Sequence, residues 1–308
     1  MAAVLFCKRN DFYTQTFVLI ALQLIISHFM AFLPQIIVVL PELLQTENSS
    51  FVNQTTWINS TFATFNTFAI FGILHFSFLL TLNRFVAFIL PKYNTFFESA
   101  RLYFLIALVW LSALAITICD IYYCTRKFLA WNMTWEGDCA KLSEGDIWWR
   151  IRYLWLLFIP NAMFAMYVAI FYSIRRKQRS AAEINQNQKN KKKHGTRHET
   201  NAVKTYDYER SMLIQAAWNC GVMEIGGIIF HFLPPFLVQI FGETVNIPSN
   251  IFINCYVILS CTTLPTVYFI YNKAARNILK EYFDHLLHMR TASSKNKTVA
   301  INVRTHTK

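Results

Sequence analysis

An all-α membrane protein is the fold class this sequence predicts, and three observations predict it. Of the 308 residues, 55% are hydrophobic and 16% aromatic against 15% charged, a balance too apolar to close around a soluble core. Six apolar runs are each long enough for a helix to cross the hydrocarbon core, which takes about 20 residues. The formal charge of +12 is concentrated between those runs and at their ends. That distribution follows membrane topology and is not the basic stripe that nucleic-acid binding would need.

The first span is read over residues 12–44, with Pro34 and Pro41 near its far end, where neighbouring helices can satisfy the carbonyls a kink frees. Residues 42–60 are polar, lack lysine and arginine, and carry three glycan acceptor sequons, Asn48-Ser-Ser, Asn53-Gln-Thr and Asn59-Ser-Thr. Acceptors are used only on a lumenal or extracellular face. The second span, 61–90, runs into Asn83-Arg84 before Pro91 and Lys92, and the third, 102–123, carries Trp110. Residues 124–146 form the longest connector on the sequon side, with Trp131, Trp135, Cys139 and a fourth sequon, Asn132-Met-Thr. The fourth span, 148–174, is interrupted by Pro160, which predicts a kink.

Residues 173–210 are basic, polar and free of apolar periodicity, so they are expected to be a largely disordered loop drawn to anionic lipid. The fifth span, 212–241, contains Gln215, Glu224, His231 and Pro234-Pro235. A charge at mid-bilayer costs at least about 2.5–3.5 kcal/mol on insertion scales, so Glu224 is expected to face the bundle interior, protonated or paired. After the sixth span, 250–272, residues 273–289 place Ile278, Leu279, Tyr282, Phe283, Leu286 and Leu287 at helical spacing. That pattern predicts an amphipathic helix on the inner leaflet, closing a bundle of residues 1–290, with a disordered tail over 291–308.

Orientation follows from charge. All lysines and arginines except Arg126, Lys127, Lys141, Arg150 and Arg152 fall on the side opposite the sequons. Both chain ends are therefore expected in the cytoplasm. Seven cysteines show no CxxC and no His/Cys spacing for a metal, and no nucleophile, base and orienting group stand together, so neither a cofactor nor an enzyme is expected.

The stretch LNRFVAFILPKYN, from Leu82 to Asn94, resembles the Asp-Arg-Tyr region of rhodopsin-like receptors, in the form found in the class X group of nematode serpentine chemoreceptors. Asn83 stands in place of the acidic residue. FYTQTFVLIALQL, from Phe12, resembles the second helix of that superfamily, with Gln23 where an aspartate often binds sodium; no sodium site is expected. Trp110 resembles the tryptophan of the fourth helix, ERSMLIQ with Glu224 and Pro234 the sixth, and Leu264-Pro265-Thr-Val-Tyr268 the Asn-Pro-x-x-Tyr element of the seventh. CDIYYC and WNMTWEGDC resemble the second outer loop of the group. That likeness implies a disulfide from Cys139 to Cys119 or to Cys124, worth about 3 kcal/mol through loop closure.

The resemblance implies a rhodopsin-like helical bundle and a G-protein-coupled chemoreceptor at the plasma membrane or a sensory cilium. Arg84, with Asn83 and Tyr268, would meet a heterotrimeric G protein. Phe65, Phe68, Trp155, Glu224 and His231 would line a pocket for a small, fairly hydrophobic ligand. It also implies that the first of seven helices is missing or truncated, with residues 1–6 its inner end and the chain's ancestor starting upstream. A six-span channel or transporter subunit, or a receptor relic that no longer signals, are the alternatives that these residues leave open.

Overall fold

In the computed structural model, residues 12–41, 56–97, 99–129, 131–139, 145–189 and 199–271 are described. The expected amphipathic helix at 273–289, the tail, and sequon residues Asn48 and Asn53 lie outside them. The apolar runs become α1 (Phe12–Pro34), α2 (Thr56–Ile89), α3 (Ser99–Tyr123), α4 (Gly145–Lys189), α5 (Glu199–Phe241) and α6 (Asn246–Tyr271). Within them, six segments are long and apolar enough to cross a membrane: Leu19–Val39, Trp57–Ile89, Ala100–Tyr123, Gly145–Arg176, Cys220–Phe241 and Glu243–Thr263. Residues 9–264 form one compact unit. Of the second unit, residues 1–8 with 265–308, the described part is the end of α6.

Two expectations about connectors are corrected. The basic stretch 173–210 is helical over much of its length, because α4 continues to Lys189 and α5 begins at Glu199. Extending a helix already nucleated in the bilayer costs far less than starting one, and Ala181, Ala182, Glu183, Gln186 and Gln188 are good formers. The connector between the third and fourth spans is a hairpin, with β1 (Thr125–Leu129) antiparallel to β2 (Thr134–Asp138). Its register sets Thr125 opposite Asp138 and Leu129 opposite Thr134. Met133 closes the turn at φ 55°, a left-handed conformation that costs a non-glycine residue roughly 1–2 kcal/mol.

One step further along the same register come Cys124 and Cys139, which form a disulfide; Cys119, still within α3, is a free thiol. With a sequence separation of 15, the crosslink restricts the unfolded chain by about 3 kcal/mol in the loop-entropy picture. Digestion without reductant is expected to recover Cys124 and Cys139 in one linked species, with Cys119 open to alkylation after unfolding. A Cys119–Cys139 species would contradict it.

Helix α2 is the most enclosed of the six spans. Its Phe71, Leu74, Phe76 and Leu80 interlock with Phe17, Ile20 and Leu24 of α1 and with Met163 and Ile170 of α4. Gly72 lets α1 come close: a methyl there would stand 3.0 Å from Ser27 Oγ and 3.5 Å from Trp110. Gly145 is more constrained, since a Cβ would lie 1.8 Å from the Cys139 carbonyl oxygen, so α4 can start beside the disulfide only on glycine. Phe104, Leu111 and Ile118 make an exposed stripe on α3, and Phe158, Phe164 and Phe171 are exposed on α4, surfaces suited to lipid. At Pro34, which cannot donate to the helix, α1 widens into a π turn over Gln35–Val39. Its buried Val38 and Val39 then pack on Phe128 and Met133 of the hairpin.

Candidate functional site

Polar side chains gather at three depths of this bundle. Farthest from the hairpin is Arg84, on α2. It is 6% exposed, with its guanidinium 4.3 Å from the centre of the Phe17 ring of α1, and Asn83 beside it is also 6% exposed. An arginine that snorkelled to headgroups would be open to them; this one is held inside the helix packing. One turn earlier, the Thr81 hydroxyl lies 2.8 Å from the Ser77 carbonyl and 3.4 Å from the buried Tyr167 hydroxyl of α4. Tyr268 falls in the last turns of α6, where side-chain surroundings lie outside the described residues.

At mid-depth, Trp110 donates from Nε1 to Gln23 Oε1 at 3.1 Å while it stacks on Phe68 and meets Phe76 edge-on. Gln23 is thereby the hydrogen-bond partner of the tryptophan. A second chain of bonds crosses three helices. The Trp155 indole N–H can only donate, so His75 Nε2, 3.0 Å away, must accept. The neutral imidazole then carries its hydrogen on Nδ1 and donates to Ser112 Oγ at 2.9 Å, and Ser112 donates to the Val109 carbonyl at 2.8 Å.

Nearest the hairpin, Asp120 of α3 is 3% exposed and serves two arginines. Arg126 Nε of β1 lies 2.8 Å from Oδ2, and Arg152 Nη1 of α4 lies 3.0 Å from Oδ1. Trp148 Nε1 donates to Oδ1 at 3.2 Å. The Arg152 guanidinium also lies 5.1 Å from the Trp149 ring, a cation–π contact that lowers the cost of its burial. The carboxylate thus ties the hairpin to α3 and α4.

Beside this cluster, a cavity of about 300 Å³ opens between the hairpin, α5 and α6. Asn132, Met133, Thr134 and Trp135 form one wall, Phe230 and Pro234 of α5 another, and Asn246, Asn250, Ile253 and Asn254 of α6 the third. Asn250 Nδ2 donates to the Asn132 carbonyl at 2.7 Å and Asn254 Nδ2 to the Met133 carbonyl at 2.8 Å. One face of α6, read every fourth residue, is therefore tied to the hairpin turn.

None of the five residues expected to line a pocket lines this cavity. Phe65 meets Phe62 edge-on, Phe68 stacks on Trp110, Trp155 donates to His75, and His231 packs between Tyr153 and Phe230. Glu224 is half-buried, its Oε1 enclosed with no hydrogen-bond partner among the described residues. Sequence reasoning passed over Asp120 and the α6 asparagines. Asp120 had a signal, being an acid within an apolar run, where ionisable groups mark sites by default. Asn246, Asn250 and Asn254 share the spacing of one helix face, yet nothing in the sequence says that this face meets a hairpin. Among the described residues, no group of His, Cys, Asp or Glu is placed to hold a metal ion.

Two comparisons bear on these features. The family model described as "Serpentine type 7TM GPCR chemoreceptor Srx" matches residues 1–204. Among curated proteins, none matches the chain.

Proposed function

Since this chain belongs to the Srx family of serpentine seven-transmembrane G-protein-coupled chemoreceptors, we propose that it binds a small uncharged ligand between the hairpin, α5 and α6. In this reading it signals to a heterotrimeric G protein at the Arg84 end. The hairpin end then faces outward, the carboxyl terminus lies in the cytoplasm, and the receptor works at the plasma membrane or a sensory cilium, by changing shape and not by catalysis.

The observation that carries the reading is the cavity. About 300 Å³ is at the lower end of the range for ligand sites, which suits a small molecule. Its lining has aromatic and aliphatic surface from Trp135, Phe230 and Ile253 and several carboxamides, but no Asp, Glu, Lys, Arg or His. A charged ligand would lose its hydration there without a counter-charge, so neutral molecules with an apolar face and hydrogen-bonding groups fit best. The cavity also joins α5 and α6 to a hairpin fixed on α3, so an occupant would bias how those helices sit against each other.

Cells expressing the full chain with a promiscuous G protein, screened with neutral and charged volatile and water-soluble compounds, test this. Neutral compounds are expected to evoke the response. Phe230→Ala is expected to raise the half-maximal concentration by about tenfold at unchanged surface level, the loss of roughly 1.4 kcal/mol of contact. A potency unaffected by that change would move the ligand elsewhere. Ligand-evoked current without any G protein would replace the receptor reading with a channel.

A further inference from the structure

The side chain of Asn59 points to a use that its sequon hides. Asn59 lies in the first turns of α2, and its carboxamide meets the backbone of Phe128, the fourth residue of β1. Phe128 N–H donates to Asn59 Oδ1 at 2.7 Å, and Asn59 Nδ2 donates back to the Phe128 carbonyl at 3.1 Å. Within a strand, the N–H and C=O of one residue point the same way, so the carboxamide pairs with that residue as a neighbouring strand would. The pairing also fixes which atom is oxygen, since a nitrogen in its place would face a donor with a donor. Phe128 is 4% exposed and stacks against Trp135, so this bond sits where the hairpin docks on the bundle.

We infer that Asn59 is withheld from glycosylation and acts instead as an added β-bridge that clasps β1 of the hairpin to α2. The reason is stereochemical. Pairing with both groups of one residue uses the oxygen and the amide hydrogen on the same edge of the carboxamide. Glycosylation converts this primary amide to a secondary one, which prefers the trans form by about 2.5–4 kcal/mol. The trans form puts the sugar carbon on the oxygen's side, in place of the hydrogen that bonds the Phe128 carbonyl. A glycan and the clasp therefore exclude each other.

The rest of this sequon is committed as well. Thr61, whose hydroxyl completes it, donates to the Trp57 carbonyl at 2.8 Å within the helix. Asn59 itself falls inside the apolar segment Trp57–Ile89. Asn132 makes a contrast. Its Oδ1 accepts from Asn250 at 3.2 Å, but its own amide nitrogen takes part in no such two-point pairing, so no equivalent exclusion acts there.

The inference rests on the proposed outward orientation of the hairpin end, since only that side meets the glycosylating enzyme. The full chain, expressed in animal cells and taken from the surface, is treated with an amidase that removes N-glycans and converts each occupied Asn to Asp in heavy-oxygen water. Peptide mass spectrometry then reads each sequon. Asn59 is expected unconverted while at least one of Asn48, Asn53 and Asn132 is converted; conversion of Asn59 overturns the inference. If no sequon is converted, the orientation itself is wrong and the inference falls with it, a result distinct from conversion at Asn59.

A second arm separates carboxamide from sugar, because both variants destroy the sequon. Thr61→Ala is expected to leave gel mobility and surface level unchanged. Asn59→Asp sets a carboxylate oxygen against the Phe128 carbonyl and is expected to lower surface receptor several-fold. Equal surface levels in the two variants would remove the clasp.

Discussion

Replacing Asp120 with asparagine is expected to cost about 3–5 kcal/mol, the usual penalty for taking one partner out of a buried ion pair. Domains hold only roughly 5–15 kcal/mol in total, so the variant should largely fail to reach the surface. Asparagine is nearly isosteric, yet it leaves the guanidiniums of Arg126 and Arg152 without a counter-charge where the side chains are only 13% and 11% exposed. Its amide nitrogen would also point donors at a donor. The same physics supplies a rescue: removing all three charges together, as Asp120→Leu with Arg126→Leu and Arg152→Met, is expected to recover surface expression. Surface labelling and thermal unfolding in detergent read both results. A D120N variant that melts like the parent would show that the two arginines find water or lipid phosphate instead.

Arg84→Ala is expected to abolish ligand-driven signalling while sparing most surface receptor. The direct loss is the guanidinium's contact with Phe17, worth roughly 0.5–2 kcal/mol, which a bundle of this size can bear. For signalling, the proposed role needs the planar cation itself, freed from Phe17 when the helices rearrange. Arg84→Lys keeps the charge but not the fork of donors, and should retain only a weak response. G-protein activation measured at matched surface density distinguishes the outcomes. An unchanged dose response in Arg84→Ala would confine Arg84 to packing.

The six spans, their order and the prolines that bend them were legible in the sequence because the bilayer leaves so few solutions. A backbone in hydrocarbon must satisfy its own hydrogen bonds, so apolar length alone announces a helix. The LNRF stretch and Cys139 were legible for a different reason, since short motifs carry their context with them. Sequence periodicity could not reveal the hairpin, because TRKFL and TWEGD are too short and too polar to alternate clearly. That hairpin decided much of the rest. Its register sets Cys124, and not Cys119, opposite Cys139. It gives Asp120 a partner on β1, and it brings Asn59, Asn250 and Asn254 to backbone groups 69, 118 and 121 residues away. The burial of Arg84 over Phe17 and the lining of the cavity likewise depend on which helix faces meet. Local sequence sets whether a segment enters the membrane, but the partner of a polar side chain is chosen by packing between distant segments, and only the tertiary structure contains that choice.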